Sequence, residues 1–162
     1  RQVVGPGLGP WVVGGDARID GRARLAALSL AGRERLPLGA VVCGEAAAWA
    51  WAGGVSPTAL QARVKRVHRS PAPGDPAVVL VAALPPDADT TSVGSCLVTT
   101  PLRTALDLLA TGNASPQLCR ALLEGVGQWG EARPPAASLE RLSARHRPLA
   151  IRGWVELTQA FR

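Results

Sequence analysis

The stretch LVTTPLRTALDLLA, Leu97 to Ala110, decides how this chain folds, because the periodicity of its side chains changes halfway along. Thr91 to Val98 reads as a tight β-hairpin turning at Gly94-Ser95, two residues that suit a short reversal. Thr100 then has the hydroxyl that an N-cap needs, and Pro101 suits the first helical position, where no N–H is required. Leu102, Ala105, Leu106 and Leu109 follow at the spacing of one helical face. Arg103 and Asp107 stand four apart on another face, as an exposed pair of small energetic weight. Strand giving way to helix at a capped boundary predicts an α+β chain.

Downstream the pattern stays helical. Ser115-Pro116 repeats the start signal ahead of Leu118, Leu122 and Val126, and Pro134-Pro135 is a break. Two more helices are expected, Ser138 to His146 and roughly Pro148 to Phe161, the second with Ala150, Trp154, Leu157 and Phe161 as its apolar stripe.

Upstream, Leu60, Ala62 and Val64 alternate with Gln61 and Arg63 as in a half-buried strand. Ser70 to Pro76 holds three prolines and a glycine, a dense turn signal, and Ala77 to Leu84 is almost continuously apolar, as in a central strand. The segment from Leu60 to Leu84 therefore reads as a β-hairpin. Before it come a helix over Asp20 to Ala31, with Ile19, Leu25, Ala27 and Leu28 inward and Arg22 and Arg24 toward water, a short buried strand at Ala40 to Cys43, and an Ala-rich helix from Glu45 to about Ala52 ended by Gly53-Gly54. Trp49 and Trp51, two apart, cannot share its face. The fold expected is a small mixed β-sheet with flanking helices and a helical C-terminal part. Residues 1–15 read as a β-ribbon or the remnant of a preceding module, and 16–162 as one domain with a helical tail from about 115.

Composition bounds the function. The net charge is +6, and Lys65 is the one lysine among 18 basic residues, so the chain can attract nucleic acid or acidic partners, although abundant Arg, Ala, Gly and Pro also fit a GC-rich coding bias. Arg63, Lys65, Arg66, His68 and Arg69 cluster and are the candidate nucleic-acid contacts, suited to phosphates rather than bases. Cys43, Cys96 and Cys119 form neither a CxxC motif nor a disulfide framework and read as buried free thiols in a reducing cytoplasm. No apolar run has the length of a membrane span and no signal peptide is visible, so a cytoplasmic location without membrane contact is expected. With Arg1 first and no Met, the chain reads as a trimmed or cleaved piece of something longer, or as one whose true N-terminus has been removed.

Catalytic equipment is not visible. GPGLG at Gly5 to Gly9 lacks the Lys and Ser/Thr of a phosphate loop, and Pro6 and Pro10 remove N–H donors. His68 and His146 lack ligand companions, which leaves no metal or cofactor site. Asp87 and Asp89 form an Asp-x-Asp pair, but Gly94-Ser95 follows it, the reverse of the nucleotidyltransferase order, and a solvated turn is the expectation. Lys65 has no Glu-x-Lys partner of the restriction-nuclease type, and no nucleophile elbow is present. The chain is not expected to be an enzyme.

LPPDADTTSVGSCLVTTPLRTALDLLA (Leu84 to Ala110) and VVCGEAAAWAWAG (Val41 to Gly53) together resemble the AbiEi-like antitoxins of actinobacteria, over most of the chain from about residue 20. The resemblance implies the antitoxin of a type IV toxin–antitoxin system. In that family an N-terminal winged helix binds operator DNA for transcriptional regulation, and the domain after it opposes a nucleotidyltransferase-type toxin. No helix-turn-helix pattern precedes residue 20, and Cys43-Gly44-Glu45 departs from the basic or His-containing approach of many relatives. The expectation is thus a regulatory domain acting by protein contacts, with weak, non-specific DNA binding. The alternative is a structural scaffold within a longer protein that carries a Vsr-like nuclease domain.

Overall fold

The computed structural model describes residues 2–4, 11–13, 20–67, 78–112 and 115–161. The chain divides into two compact units, Arg1–Thr99 and Thr100–Arg162. The first is α+β and the second is helical among its described residues.

In the first unit, β1 (Gln2–Val4) and β2 (Trp11–Val13) form a two-stranded antiparallel ribbon, as the sequence suggests. α1 (Gly21–Arg35) begins at Asp20, whose carboxylate accepts the Ala23 N–H at 2.9 Å. It continues past the expected end at Ala31, through Gly32. A Cβ at Gly32 would lie 2.3 Å from the Cys96 sulfur, so glycine there lets helix and sheet approach closely. β3 (Val41–Val42) leads into α2 (Gly44–Ala52), which ends at Gly53 with φ 81°. β4 (Leu60–Val64), β5 (Val78–Ala82), a 3₁₀ turn at Asp87–Asp89, β6 (Thr90–Val93) and β7 (Cys96–Thr99) complete the unit.

The five-stranded mixed sheet runs β5-β4-β3-β7-β6. The β6–β7 hairpin turns at Gly94-Ser95 with Val93 opposite Cys96, as expected. Ser29 of α1 ties that turn down by accepting the Ser95 N–H at 3.1 Å. The core lies between one sheet face and the two helices: Leu28, Ala31, Ala46, Trp49 and Ala50 pack with Val42, Leu60, Val78 and Val98. Each fully buried leucine contributes about 1.5–3 kcal/mol. Trp49 is buried in this core and Trp51, partly buried, packs against the same cluster although the two were not expected to share a face; the Trp51 indole N–H donates to the Thr99 carbonyl at 2.9 Å.

Three expectations need correction here. β4 and β5 are parallel, Leu60 beside Val78 through Val64 beside Ala82, so they do not form a hairpin. Alternation fixes which side chains face the core, not strand direction, and a connection of roughly a dozen residues is long enough for a parallel crossover. The Ser70–Pro76 turn signal and Ile19 lie outside the described residues. β5 is also an edge strand, not a central one, with Val79 and Val81 exposed. Arg24 does not turn wholly to water: it is half-buried, and a Cβ at Gly53 would meet its guanidinium carbon at 3.2 Å. The guanidinium therefore sits at the carbonyl end of α2, where a cation is favoured.

In the second unit, α3 (Pro101–Thr111) is capped by Thr100, which accepts the Arg103 N–H at 3.3 Å, and it ends at Gly112 in the left-handed region. Ser115 caps α4 (Pro116–Gly125) in the same way. The segment expected as a helix from Ser138 to His146 forms only the short α5 (Ala136–Glu140), and α6 (His146–Ala160) starts where that helix was to end. Leu106, Leu122, Leu123, Ala150, Trp154 and Leu157 are buried, and the Trp154 indole donates to the Glu131 carbonyl at 2.9 Å.

Candidate protein-binding cleft

β4 delivers its last core residue, Val64, and then two cations, Lys65 and Arg66, at the end of the sheet where β5 also finishes. Across from them the chain leaves α1 through Leu36-Pro37-Leu38-Gly39. The Ala40 N–H donates to the Pro37 carbonyl at 3.1 Å, and Gly39 has φ 76°, the left-handed third position of a type II turn. That turn presents Leu38 fully to solvent. After β5, Ala83 takes φ 78°, a conformation costly for a residue with a Cβ, and the next residue is Leu84.

Pro37, Leu38, Gly39, Ala40, Val64, Lys65, Arg66 and Leu84 line a cleft of about 710 Å³. Its floor is apolar, from buried Ala40 and Val64, and its exposed lining combines Leu38 and Leu84 with two cations. Among the described residues that line it there is no carboxylate, so Lys65 and Arg66 are its charged lining. The arrangement suits a ligand that is apolar in part and anionic at its margin.

Of the candidate nucleic-acid contacts, Lys65 and Arg66 come together in this cleft. Arg63 does not join them: it lies half-buried on β4, in register with Val41 and Val81. His68 and Arg69 lie outside the described residues. Leu38 and Leu84 were not singled out from the sequence. The signal for Leu38 is the Pro-Leu-Gly turn after α1, while Leu84 reads as strand until Ala83 breaks the backbone.

The helical unit has a smaller hollow of about 260 Å³ between α3, α4 and α6, walled by Leu108, Leu109, Cys119 and Leu157, with Glu156 as the one charged residue among the described lining. It lacks the cationic margin of the cleft.

Two further expectations change. Arg103 and Asp107 are not an exposed pair; they are buried, with the guanidinium donating to the carboxylate at 3.0 Å. Asp87 is exposed as expected of a solvated turn, but Asp89 is buried and has an interaction partner. Among the described residues, no group of three or more His, Cys, Asp or Glu is placed to hold a metal ion, and no helix is long and apolar enough to cross a membrane. Cys43, Cys96 and Cys119 are buried thiols. No protein-family model, curated protein or solved structure matches the chain.

Proposed function

We propose that this chain is a non-catalytic regulatory module of antitoxin type, which recognises an acidic, partly apolar face of a partner protein at the cleft between the α1–β3 turn and the end of β4. The observation that carries this reading is the meeting of exposed Leu38 and Leu84 with Lys65 and Arg66 around a cleft that no carboxylate lines among the described residues. Buried apolar anchors with a charged margin are the anatomy of a protein-binding site. Phosphates reward the two cations equally but gain nothing from solvent-exposed leucines, and sequence reading requires an element laid in a groove. Specific protein contact with weak, sequence-independent DNA contact follows. The resemblance to AbiEi-like antitoxins makes a nucleotidyltransferase-type toxin the partner of choice.

Co-expression with a toxin of that type tests the reading. The wild type should restore growth, and the double variant Lys65→Glu, Arg66→Glu should lose most of that rescue while melting at an unchanged temperature. Growth arrest that the wild type cannot relieve would refute the antitoxin role. Operator and scrambled duplexes should bind alike, with affinity falling steeply as salt rises.

A further inference from the structure

We propose that the outer edge of β5 is a strand-addition site for an extended segment of the partner, whose carboxylates meet Lys65 and Arg66 while its apolar side chains lie beside Val79 and Val81. This rests on the protein-contact reading and supplies its mode. β5 ends the sheet, and among the described residues no strand lies beyond it. Its sequence, Val78-Val79-Leu80-Val81-Ala82, holds no charge and no proline, two devices that normally blunt an edge. The opposite edge differs: β6 begins Thr90-Thr91-Ser92 and is polar. Val79 and Val81 are 42% and 43% exposed and project to the face opposite the helix-packed core, in register with Gln61 and Arg63. An edge with unpaired backbone groups and alternate apolar side chains is the template used in β-augmentation.

Charge selects the occupant. β5 finishes beside Val64, immediately before Lys65 and Arg66, so the edge runs into the basic end of the cleft. A second copy of this chain would bring another +6 against it, whereas an acidic segment is complementary. Antiparallel addition, slightly the more stable per residue, places the carboxylates at the N-terminal end of the incoming strand. The positive φ at Ala83 ends the straight edge and leaves Leu84 to contact the residues that enter first.

The test uses the whole chain and a fluorescent peptide with an N-terminal run of aspartates followed by alternating Val and Thr. Saturable binding is expected, weakened at least about tenfold by the double variant Val79→Lys, Val81→Lys, since lysines are what protected edges carry. Peptides N-methylated at alternate positions should lose binding in one phase only, because one set of amides pairs with the edge; this control requires no change to the protein. Lys65→Glu with Arg66→Glu should weaken the aspartate peptide and favour its arginine counterpart. Failure to bind, indifference to N-methylation, or an apo dimer disrupted by the lysine variants would overturn the assignment. If the wild type and the Val79→Lys, Val81→Lys variant neutralise the toxin equally, the edge falls and the protein-contact reading stands; if the wild type neutralises nothing, that reading falls as well.

Discussion

Arg103, Arg120 and Arg152 each reach a carboxylate four residues further along their helix, and burial separates their worth. Arg103 and Asp107 are 6% and 9% exposed in their side chains, while Arg152 and Glu156 stand 3.8 Å apart at 70% and 69%. Removing one partner of a buried pair takes the matching carboxylate from a guanidinium held out of water, so Asp107→Ala should destabilise the chain by about 3 kcal/mol. Arg152→Ala should cost no more than about 0.5 kcal/mol in the same urea titration. Equal costs would mean that burial does not govern these pairs. Cys119 gives a pH signature. It is 1% exposed, and burial pushes its thiol from the ordinary 9.0 up to about 11. A folded-state value above the unfolded one means stability complete below pH 9 and lost as pH climbs toward 11, because only the unfolded chain releases that proton. The slope has a ceiling of about 1.4 kcal/mol per pH unit. Melting curves across this window should fall more steeply for the wild type than for Cys119→Ala; parallel curves would show that Cys119 does not contribute.

Among the elements, Gly153 shows packing overriding propensity. It stands inside α6, where alanine is intrinsically better by about 1 kcal/mol, yet a Cβ there would lie 2.9 Å from the Leu109 carbonyl oxygen of α3. Because backbone cannot step aside as a side chain can, Gly153→Ala should destabilise the protein by about 1–3 kcal/mol, a sign opposite to the propensity scale. A raised melting temperature would mean that the two helices are free to separate. The same distinction between local and non-local causes marks what the sequence discloses. Thr100-Pro101, Ser115-Pro116 and Gly94-Ser95 act through neighbouring atoms, and all three are legible as two helix caps and a turn. The direction of β5, its place at the edge and the burial of Arg103 depend on residues distant in the chain, so no local pattern announces them. Half of the candidate site was legible for the same reason. Lys65 and Arg66 are visible as adjacent cations, whereas Leu38 and Leu84 enter the cleft only after the chain has turned at Gly39 and Ala83.

For the molecule as a whole, the excess of positive charge speeds encounters with anything acidic, but charge alone cannot discriminate among partners. In the proposed reading the cleft supplies that discrimination, because its exposed leucines add an apolar requirement to the ionic one. The resulting complex should be salt-sensitive without being salt-abolished, unlike a purely phosphate-bound one. The most direct measurement is an equilibrium titration of the fluorescently labelled chain with purified nucleotidyltransferase-type toxin at low and physiological salt, for the wild type and for Lys65→Glu, Arg66→Glu. A saturable complex should form, persist at physiological salt and be weakened at least about tenfold, or about 1.4 kcal/mol, by the double charge reversal. A complex of equal affinity with and without the two cations, or no complex at either salt concentration, would contradict it.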